Sequence, residues 1–223
     1  FYIKIIIYLS VFYVFIKILT FILICTVMIL SACSGMKKED AQNYVKATLD
    51  AGYKAQFKEY IEVTNSTKKA ARKEYEDNLD DIMKESGLDE MDISDELKAQ
   101  YRSLYEKMLK SAKYKVGEAK KGKKGTYVVE VTVYPFTAFS SVSGELNTWV
   151  RETYANATEV PSNEELNEAI MQKMYELMNE KVDQPTYDKK KTVQIRVKMN
   201  DDEVYYIPAK DLENIDSELF PQT

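Results

Sequence analysis

The sequence of 223 residues contains no histidine, and this absence narrows the chemistry open to the protein. Without an imidazole there is no Ser/His or Cys/His nucleophile pair and no histidine general base. The usual histidine-containing zinc sites are excluded for the same reason. Carboxylates, lysines and tyrosines are the remaining candidates for acid or base catalysis.

Cysteine, glycine and proline are also scarce. The two cysteines are Cys25 and Cys33, and the seven glycines and five prolines form neither a glycine-rich phosphate loop nor a long low-complexity linker. Cys25 lies inside an N-terminal apolar run, so an exported domain cleaved after that run has one cysteine and no disulfide. Its stability must come from an apolar core, which about 190 residues are enough to build.

The N-terminal segment has the pattern of a bacterial lipoprotein signal peptide. Residues 1–30 are dominated by Ile, Val, Leu, Phe and Tyr, and Lys17 precedes an apolar core of residues 18–30. This order of a basic residue, an apolar core and small residues at the cleavage site is typical of secretory signals. The predicted cleavage box consists of Leu30, Ser31, Ala32 and the lipid-accepting Cys33.

An uncleaved membrane-spanning helix is the alternative, since residues 5–30 are long enough to cross a bilayer. We prefer the lipoprotein interpretation because a spanning helix has no need of small residues followed by a cysteine. It predicts a lipid anchor on Cys33 at the outer face of the cytoplasmic membrane, in the Gram-positive manner. The predicted organisation is a signal peptide at 1–32, a lipidated polar tether at 33–38 and a single domain at 39–223.

The charge of the predicted domain argues against nucleic acid as its partner. Residues 1–32 contain two lysines and no acid, which leaves 29 basic and 36 acidic side chains from Cys33 onward, a formal net charge of −7. Such an acidic balance suits a soluble exported surface and lacks the basic excess of a nucleic-acid-binding domain.

Apolar residues at helical spacing predict four helices at the start of the domain. The first is expected to end near Gly52, the second near Thr64, and the third near Gly87, while Ser94 is the expected N-cap of the fourth. A capping box at Ser162 predicts a longer helix later in the chain.

Alternating apolar residues predict two β-hairpins, one on each side of that longer helix. The first runs from Tyr114 to Val133 around a lysine- and glycine-containing turn, and the second from Val193 to Ile207 around residues 200–202. A short helix at 211–219 is expected to close the chain. This order predicts an α+β domain with one antiparallel sheet that helices cover on a single face.

At this point the chain resembles uncharacterised Gram-positive lipoproteins that carry a domain of unknown function. The resemblance implies a cone-shaped α+β domain, cystatin-like or nuclear-transport-factor-like, and an extracytoplasmic location, and it does not supply an enzymatic role. The features that carry it are Cys33, Tyr44, Tyr60, the strand pair at 113–116 and 127–131, the capped helix after Pro161 and the ending at 204–220.

Aromatic side chains concentrate where the first hairpin ends and the next helix begins. A concave sheet end of this kind is a possible ligand pocket, but we prefer the interpretation that these rings plug the open end of the sheet. Glu130 is the one acid in a strand-like apolar setting, and a catalytic role would require its burial in that pocket. The predicted pocket residues are Tyr134, Phe136, Phe139, Trp149, Tyr154 and Glu130.

Two further clusters are weaker candidates. The acidic turns at 89–92 and 201–203 lack the spacing of a dedicated calcium loop, so we interpret them as solvated turns. The basic hairpin tip is suited to contact anionic headgroups or wall polymers, or simply to remain hydrated. Its residues are Lys120, Lys121, Lys123 and Lys124.

The sequence therefore favours a non-catalytic binding or accessory domain on a lipid anchor. Its expected partners are the membrane through Cys33 and a protein, a cell-wall component or a small apolar ligand, and no metal or cofactor is expected. An enzyme that uses a pocket carboxylate is the first alternative. A solute-binding receptor for a transporter is the second, and the helix-first order does not suit its two α/β lobes.

Overall fold

The computed structural model describes residues 35–123, 125–155 and 161–221. Cys33 and the predicted signal peptide lie outside these ranges. Four helices come first, with a 3₁₀ turn at Leu88–Glu90 between the last two. They are α1 (Lys38–Lys54), α2 (Phe57–Thr64), α3 (Lys68–Glu85) and α4 (Asp95–Lys110).

Two hairpins and three helices complete the described chain. The predicted α+β class is confirmed, and so is the single antiparallel sheet of four strands in the described ranges. The elements are β1 (Lys113–Lys121), β2 (Tyr127–Tyr134), α5 (Val142–Tyr154), α6 (Asn163–Val182), β3 (Lys191–Met199), β4 (Tyr205–Tyr206) and α7 (Ala209–Leu219).

Side-chain caps begin three of the helices. Ser94 Oγ accepts a hydrogen bond from Leu97 N at 3.2 Å, and Thr67 Oγ1 accepts one from Ala70 N at 3.1 Å. In the capping box of α6, Ser162 and Glu165 each accept a hydrogen bond from the other's backbone nitrogen. These contacts satisfy amide groups that a helix N-terminus leaves without internal partners.

The end of α1 differs from the prediction. The helix continues past Gly52 to Lys54, and the left-handed residue that stops it is Ala55, with a φ of 54°. Gly52 is buried within the helix.

The strands lie in the order β1-β2-β3-β4, and every neighbouring pair is antiparallel. Val129, Val131 and Val133 alternate with half-buried residues along β2, which is the central strand of the long pairings. Helices α1 and α7 pack on the face that these valines share. Burial of each such side chain contributes about 1.5–3 kcal/mol relative to exposure, so this face is the main core of the domain.

A bulge interrupts the pairing of β1 with β2. The register passes from Val116 opposite Val131 to Ala119 opposite Val129, so two residues of β1 face one residue of β2. Gly117 lies in this bulge, and a Cβ added there would be 2.8 Å from the backbone oxygen of Glu130. The close approach of the two backbones therefore requires glycine.

One residue of the predicted tether, Met36, is packed against the sheet. Met36 is 6% exposed, and its backbone nitrogen donates a hydrogen bond to Tyr205 Oη at 3.3 Å. Its carbonyl accepts another from Tyr127 Oη. Helix α1 then starts at Lys38, so Met36 contacts the sheet just before the first helix, while Gly35 and Lys37 on either side of it are exposed. None of the helices in the described ranges is long and apolar enough to cross a bilayer.

Candidate functional site

The six residues predicted to form one pocket lie in three places. Phe136 follows β2 and is buried, with its ring centroid 5.0 Å from that of Phe139 and 5.9 Å from that of Phe220. Tyr187 completes the group at 6.3 Å from Phe136. These edge-on and tilted contacts fill the end of the sheet with aromatic rings.

Trp149 and Tyr154 form the second group, near the end of α5. Their ring centroids are 6.0 Å apart and nearly perpendicular, and both side chains are half-buried. Leu146, one turn earlier, is buried and holds the helix against the core.

Tyr134 and Glu130 form the third group, on the half-exposed face of β2. The ammonium of Lys113 lies 4.8 Å from the centroid of the Tyr134 ring. Glu130 has a side chain 45% exposed, and its carboxylate is 2.8 Å from the ammonium of Lys120. The burial that a catalytic Glu130 would require is therefore not found.

A small cavity lies elsewhere, between the first three helices. It has a volume of about 20 Å³, which is room for one water-sized molecule or for the tip of a larger one. Its lining consists of Thr48, Ala51 and Gly52 from α1, Phe57 and Tyr60 from α2, and Ala71, Glu74, Tyr75 and Asn78 from α3.

Three of the polar side chains in the cavity lining, those of Thr48, Tyr75 and Asn78, have buried polar atoms with no hydrogen-bond partner among the described residues. Asn78 is 3% exposed, and both its amide nitrogen and its amide oxygen lack hydrogen bonds among the described residues. The hydroxyl of Thr48, which is 6% exposed, is unpaired in the same sense. A buried polar group without a partner costs about 1–3 kcal/mol, so a bound molecule that supplies the missing hydrogen bonds is favoured there.

One formal charge lies in the cavity lining, on Glu74. Tyr60 Oη donates a hydrogen bond to its carboxylate at 3.1 Å. The Phe57 and Tyr75 rings meet edge to face at 5.9 Å. Burial, followed by the nearby carboxylates of Glu106 and Glu76, raises the pKa of Tyr75, so its hydroxyl stays protonated. The cavity therefore offers aromatic walls, an amide, hydroxyls and a carboxylate to a small polar group.

Two buried acids lie outside the cavity and connect α1 to other elements. Tyr114 Oη on β1 donates to Asp50 Oδ1 at 2.5 Å, while Lys46 and Lys54 lie at 2.5 and 3.2 Å from the same carboxylate. Burial acts to raise the pKa of Asp50, but these hydrogen bonds outweigh it and lower that pKa. The charged carboxylate of Asp50 thus links α1 to β1.

Asp216 on α7 is the opposite case. It is 2% exposed, accepts a hydrogen bond from Tyr53 Oη on α1, and has a second carboxyl oxygen without a partner. Burial raises the pKa of Asp216 well above its ordinary value of 3.8, and the hydrogen bond from Tyr53 offsets only part of this. This carboxyl therefore favours the neutral form.

Sequence reasoning missed the cavity and both buried acids. A signal was present, because Asn78 falls on the apolar stripe of α3 that includes Tyr75, Leu79 and Ile82. A polar residue in such a stripe is either paired or poised for a ligand. Asp216 likewise lies beside Ile215 on the buried face of α7.

No family model matches this sequence, and no curated protein matches it. The fold is similar to the crystal structure of YcdA, a candidate lipoprotein of Bacillus subtilis, with a TM-score of 0.57 and 17% sequence identity. The similarity covers 81% of this chain and 56% of that chain, so this chain matches little more than half of YcdA. At this identity the likeness concerns the mixed α+β fold.

Proposed function

We propose that this chain is a lipid-anchored domain on the outer face of the cytoplasmic membrane, and that it binds a ligand without catalysing a reaction. The pattern that ends at Cys33 supports the anchor. The fold shared with a candidate lipoprotein of a Gram-positive bacterium is consistent with that address. The cystatin-like or nuclear-transport-factor-like shape implied by the resemblance remains part of this proposal.

The packing of Met36 is the structural observation that best supports a domain attached closely to the membrane. Met36 lies three residues after Cys33, and three residues span roughly 10 Å at most. Because the backbone of Met36 is held by Tyr127 and Tyr205, a lipid on Cys33 would be joined to the sheet through only three residues. A domain attached in this way has a restricted orientation, and weak binding to a neighbouring membrane component becomes effective at short range.

The cavity between α1, α2 and α3 is the proposed ligand site. Its lining residues have one unpaired amide, on Asn78, and two unpaired hydroxyls, on Thr48 and Tyr75, while the carboxylate of Glu74 accepts a hydrogen bond from Tyr60. These groups are suited to orient a small polar ligand group by hydrogen bonds. They do not form a nucleophile with an adjacent general base, which a covalent mechanism needs.

Replacement of the lipid-accepting residue tests the anchor. We expect Cys33→Ser to move the protein from the membrane fraction to the soluble or secreted fraction and to abolish its labelling by a radioactive fatty acid. Cys25→Ser is the matched control, because that cysteine lies in the removed segment, and it should leave both readouts unchanged. Membrane retention of Cys33→Ser together with normal chain length would instead indicate an uncleaved spanning helix.

Replacement of Asn78 tests the cavity. We expect Asn78→Leu to raise the free energy of unfolding by about 1 kcal/mol, because an unpaired amide is replaced by an apolar group of similar size. Nuclear magnetic resonance titration with small amides, alcohols and amines should shift the signals of cavity residues in the wild type and not in Asn78→Leu. Thr48→Val is a second, milder variant. A loss of stability in Asn78→Leu would mean that the amide is already satisfied by water.

A further inference from the structure

The half-exposed face of the sheet, opposite α1 and α7, has a charge that contrasts with the rest of the domain. We call it the outer face, and the pairing of the strands defines its members. On β1, Lys113 is opposite Tyr134 and Lys115 is opposite Thr132. Val128 of β2 has Lys120 of β1 on one side and Arg196 of β3 on the other. Lys198 follows Arg196 at the next outward position of β3.

Cations outnumber acids on the outer face, although acids outnumber cations in the chain from Cys33 onward. Lys113, Lys115, Lys120, Arg196 and Lys198 are opposed by Glu130 and by Glu118 of the β1 bulge. The alternation of the strands places these cations together, because outward positions recur every second residue. A net-acidic protein with a local excess of cations on one sheet face has a candidate surface for an anion.

Ion pairs account for two of the five cations. Lys120 is 2.8 Å from Glu130, and Arg196 donates to Asp211 through Nε at 2.9 Å. Lys113, Lys115 and Lys198 have no carboxylate within 4.0 Å in the described ranges. The ammonium of Lys113 is instead held over two rings, 4.8 Å from the centroid of Tyr134 and 5.0 Å from that of Tyr187. These three ammonium groups remain available to an external anion.

The unpaired cations form a row. Lys115 pairs with Thr132, which pairs with Thr192, and Lys198 lies six residues further along β3. At about 3.3 Å per residue the row extends roughly 20 Å along the strands. A single small anion cannot contact both ends of such a row, whereas a chain of anionic groups is able to do so.

We infer that the outer face binds a linear polyanion that carries phosphate groups along its length. Lysine ammonium groups bind phosphate as point charges, and Thr132, Thr192 and Gln194 between them supply neutral hydrogen-bonding groups. The half-buried ring of Tyr134 provides an apolar surface for the backbone of such a polymer. The inference depends on neither the lipid anchor nor the α1–α3 cavity.

Binding to long-chain inorganic polyphosphate tests the inference, with the full chain in a neutral detergent and sodium chloride as the variable. We expect the affinity to fall steeply with salt, as counterion release requires. The double substitution Lys115→Gln and Lys198→Gln should weaken binding at least tenfold and reduce the steepness of the salt dependence. The double substitution Lys68→Gln and Lys69→Gln removes the same charge from exposed positions of α3 and should change affinity less than twofold.

Three results would overturn the inference. One is no binding of polyphosphate at low salt, and another is an equal loss of affinity in the two double variants, which would indicate diffuse charge. The third is binding to phosphatidylglycerol vesicles that is stronger than to polyphosphate and equally sensitive to Lys115 and Lys198, because the partner would then be a lipid surface. As a control, the thermal unfolding temperatures of both double variants should equal that of the wild type. A loss of affinity is then due to the removed charges and not to a loss of folded protein.

Discussion

At the scale of single residues, Asp216 is expected to make stability depend on pH. Its pKa in the folded state is raised by burial above its ordinary value of 3.8, so the folded protein holds a proton that the unfolded chain releases. Stability is then complete below about pH 4 and declines as the pH rises toward the folded-state pKa. The slope from this one group is about 1.4 kcal/mol per pH unit within that window.

Asp216→Asn isolates this effect. Asparagine still accepts the hydrogen bond from Tyr53 and has no charge to bury, so the variant should lose the decline and become more stable than the wild type at higher pH. Chemical unfolding at several pH values between 4 and 8 measures the difference. The charge of Glu213 also raises the pKa of Asp216, so Glu213→Gln is a useful control. This variant should lower the folded-state pKa of Asp216, so that its stability still declines with pH but the decline ends at a lower pH than in the wild type. Parallel pH profiles for wild type and Asp216→Asn would contradict the assignment.

At the scale of elements, the bulge in β1 is expected to depend on Gly117. A Cβ at this position meets the backbone oxygen of Glu130 at 2.8 Å, and backbone atoms of a central strand have little freedom to move away. We expect Gly117→Ala to lower the free energy of unfolding by about 1–3 kcal/mol, the usual cost of forced overpacking.

Gly144→Ala is the matched control for that substitution. Gly144 lies in α5 with no atom within 4 Å of an added Cβ, so alanine there should stabilise the protein by about 0.5–1 kcal/mol through its higher helix propensity. Denaturant unfolding of both variants measures the contrast. Equal effects of the two substitutions would show that the β1 backbone is able to shift at the bulge.

The presence of individual helices and strands could be predicted from the sequence, because the residue patterns that indicate them are local. The capping box at Ser162 and the alternation along 127–133 act within a few residues, and both elements are found where they were expected. The cavity could not be predicted, because Thr48, Tyr60 and Asn78 belong to three helices whose packing no local pattern encodes. The aromatic residues predicted to line one pocket do not lie together, again because their positions depend on how separate elements pack. They are close in sequence, but β2 and α5 carry them to separate places.

At the scale of the whole molecule, the described core includes Met36, which precedes the predicted start of the domain at residue 39. Burial of a methionine side chain contributes about 1.5–3 kcal/mol, and each of its two backbone hydrogen bonds about 1 kcal/mol. A fragment of residues 38–223 lacks these contacts and uncovers Tyr127 and Tyr205, whereas a fragment of residues 35–223 keeps them. Met36 is thus part of the core, although it lies in the stretch predicted as a tether.

We therefore expect the fragment 38–223 to unfold at a temperature roughly 10 °C below that of the fragment 35–223, since 1 kcal/mol shifts the midpoint of a domain of this size by about 2–4 °C. Met36→Ala in the longer fragment separates the two contributions, because it removes the side chain and keeps the backbone hydrogen bonds, and its midpoint should fall between the other two. Calorimetry of the three proteins provides the comparison. Identical midpoints would mean that the segment is only loosely attached, and the restricted orientation proposed for the anchored domain would lose its physical basis.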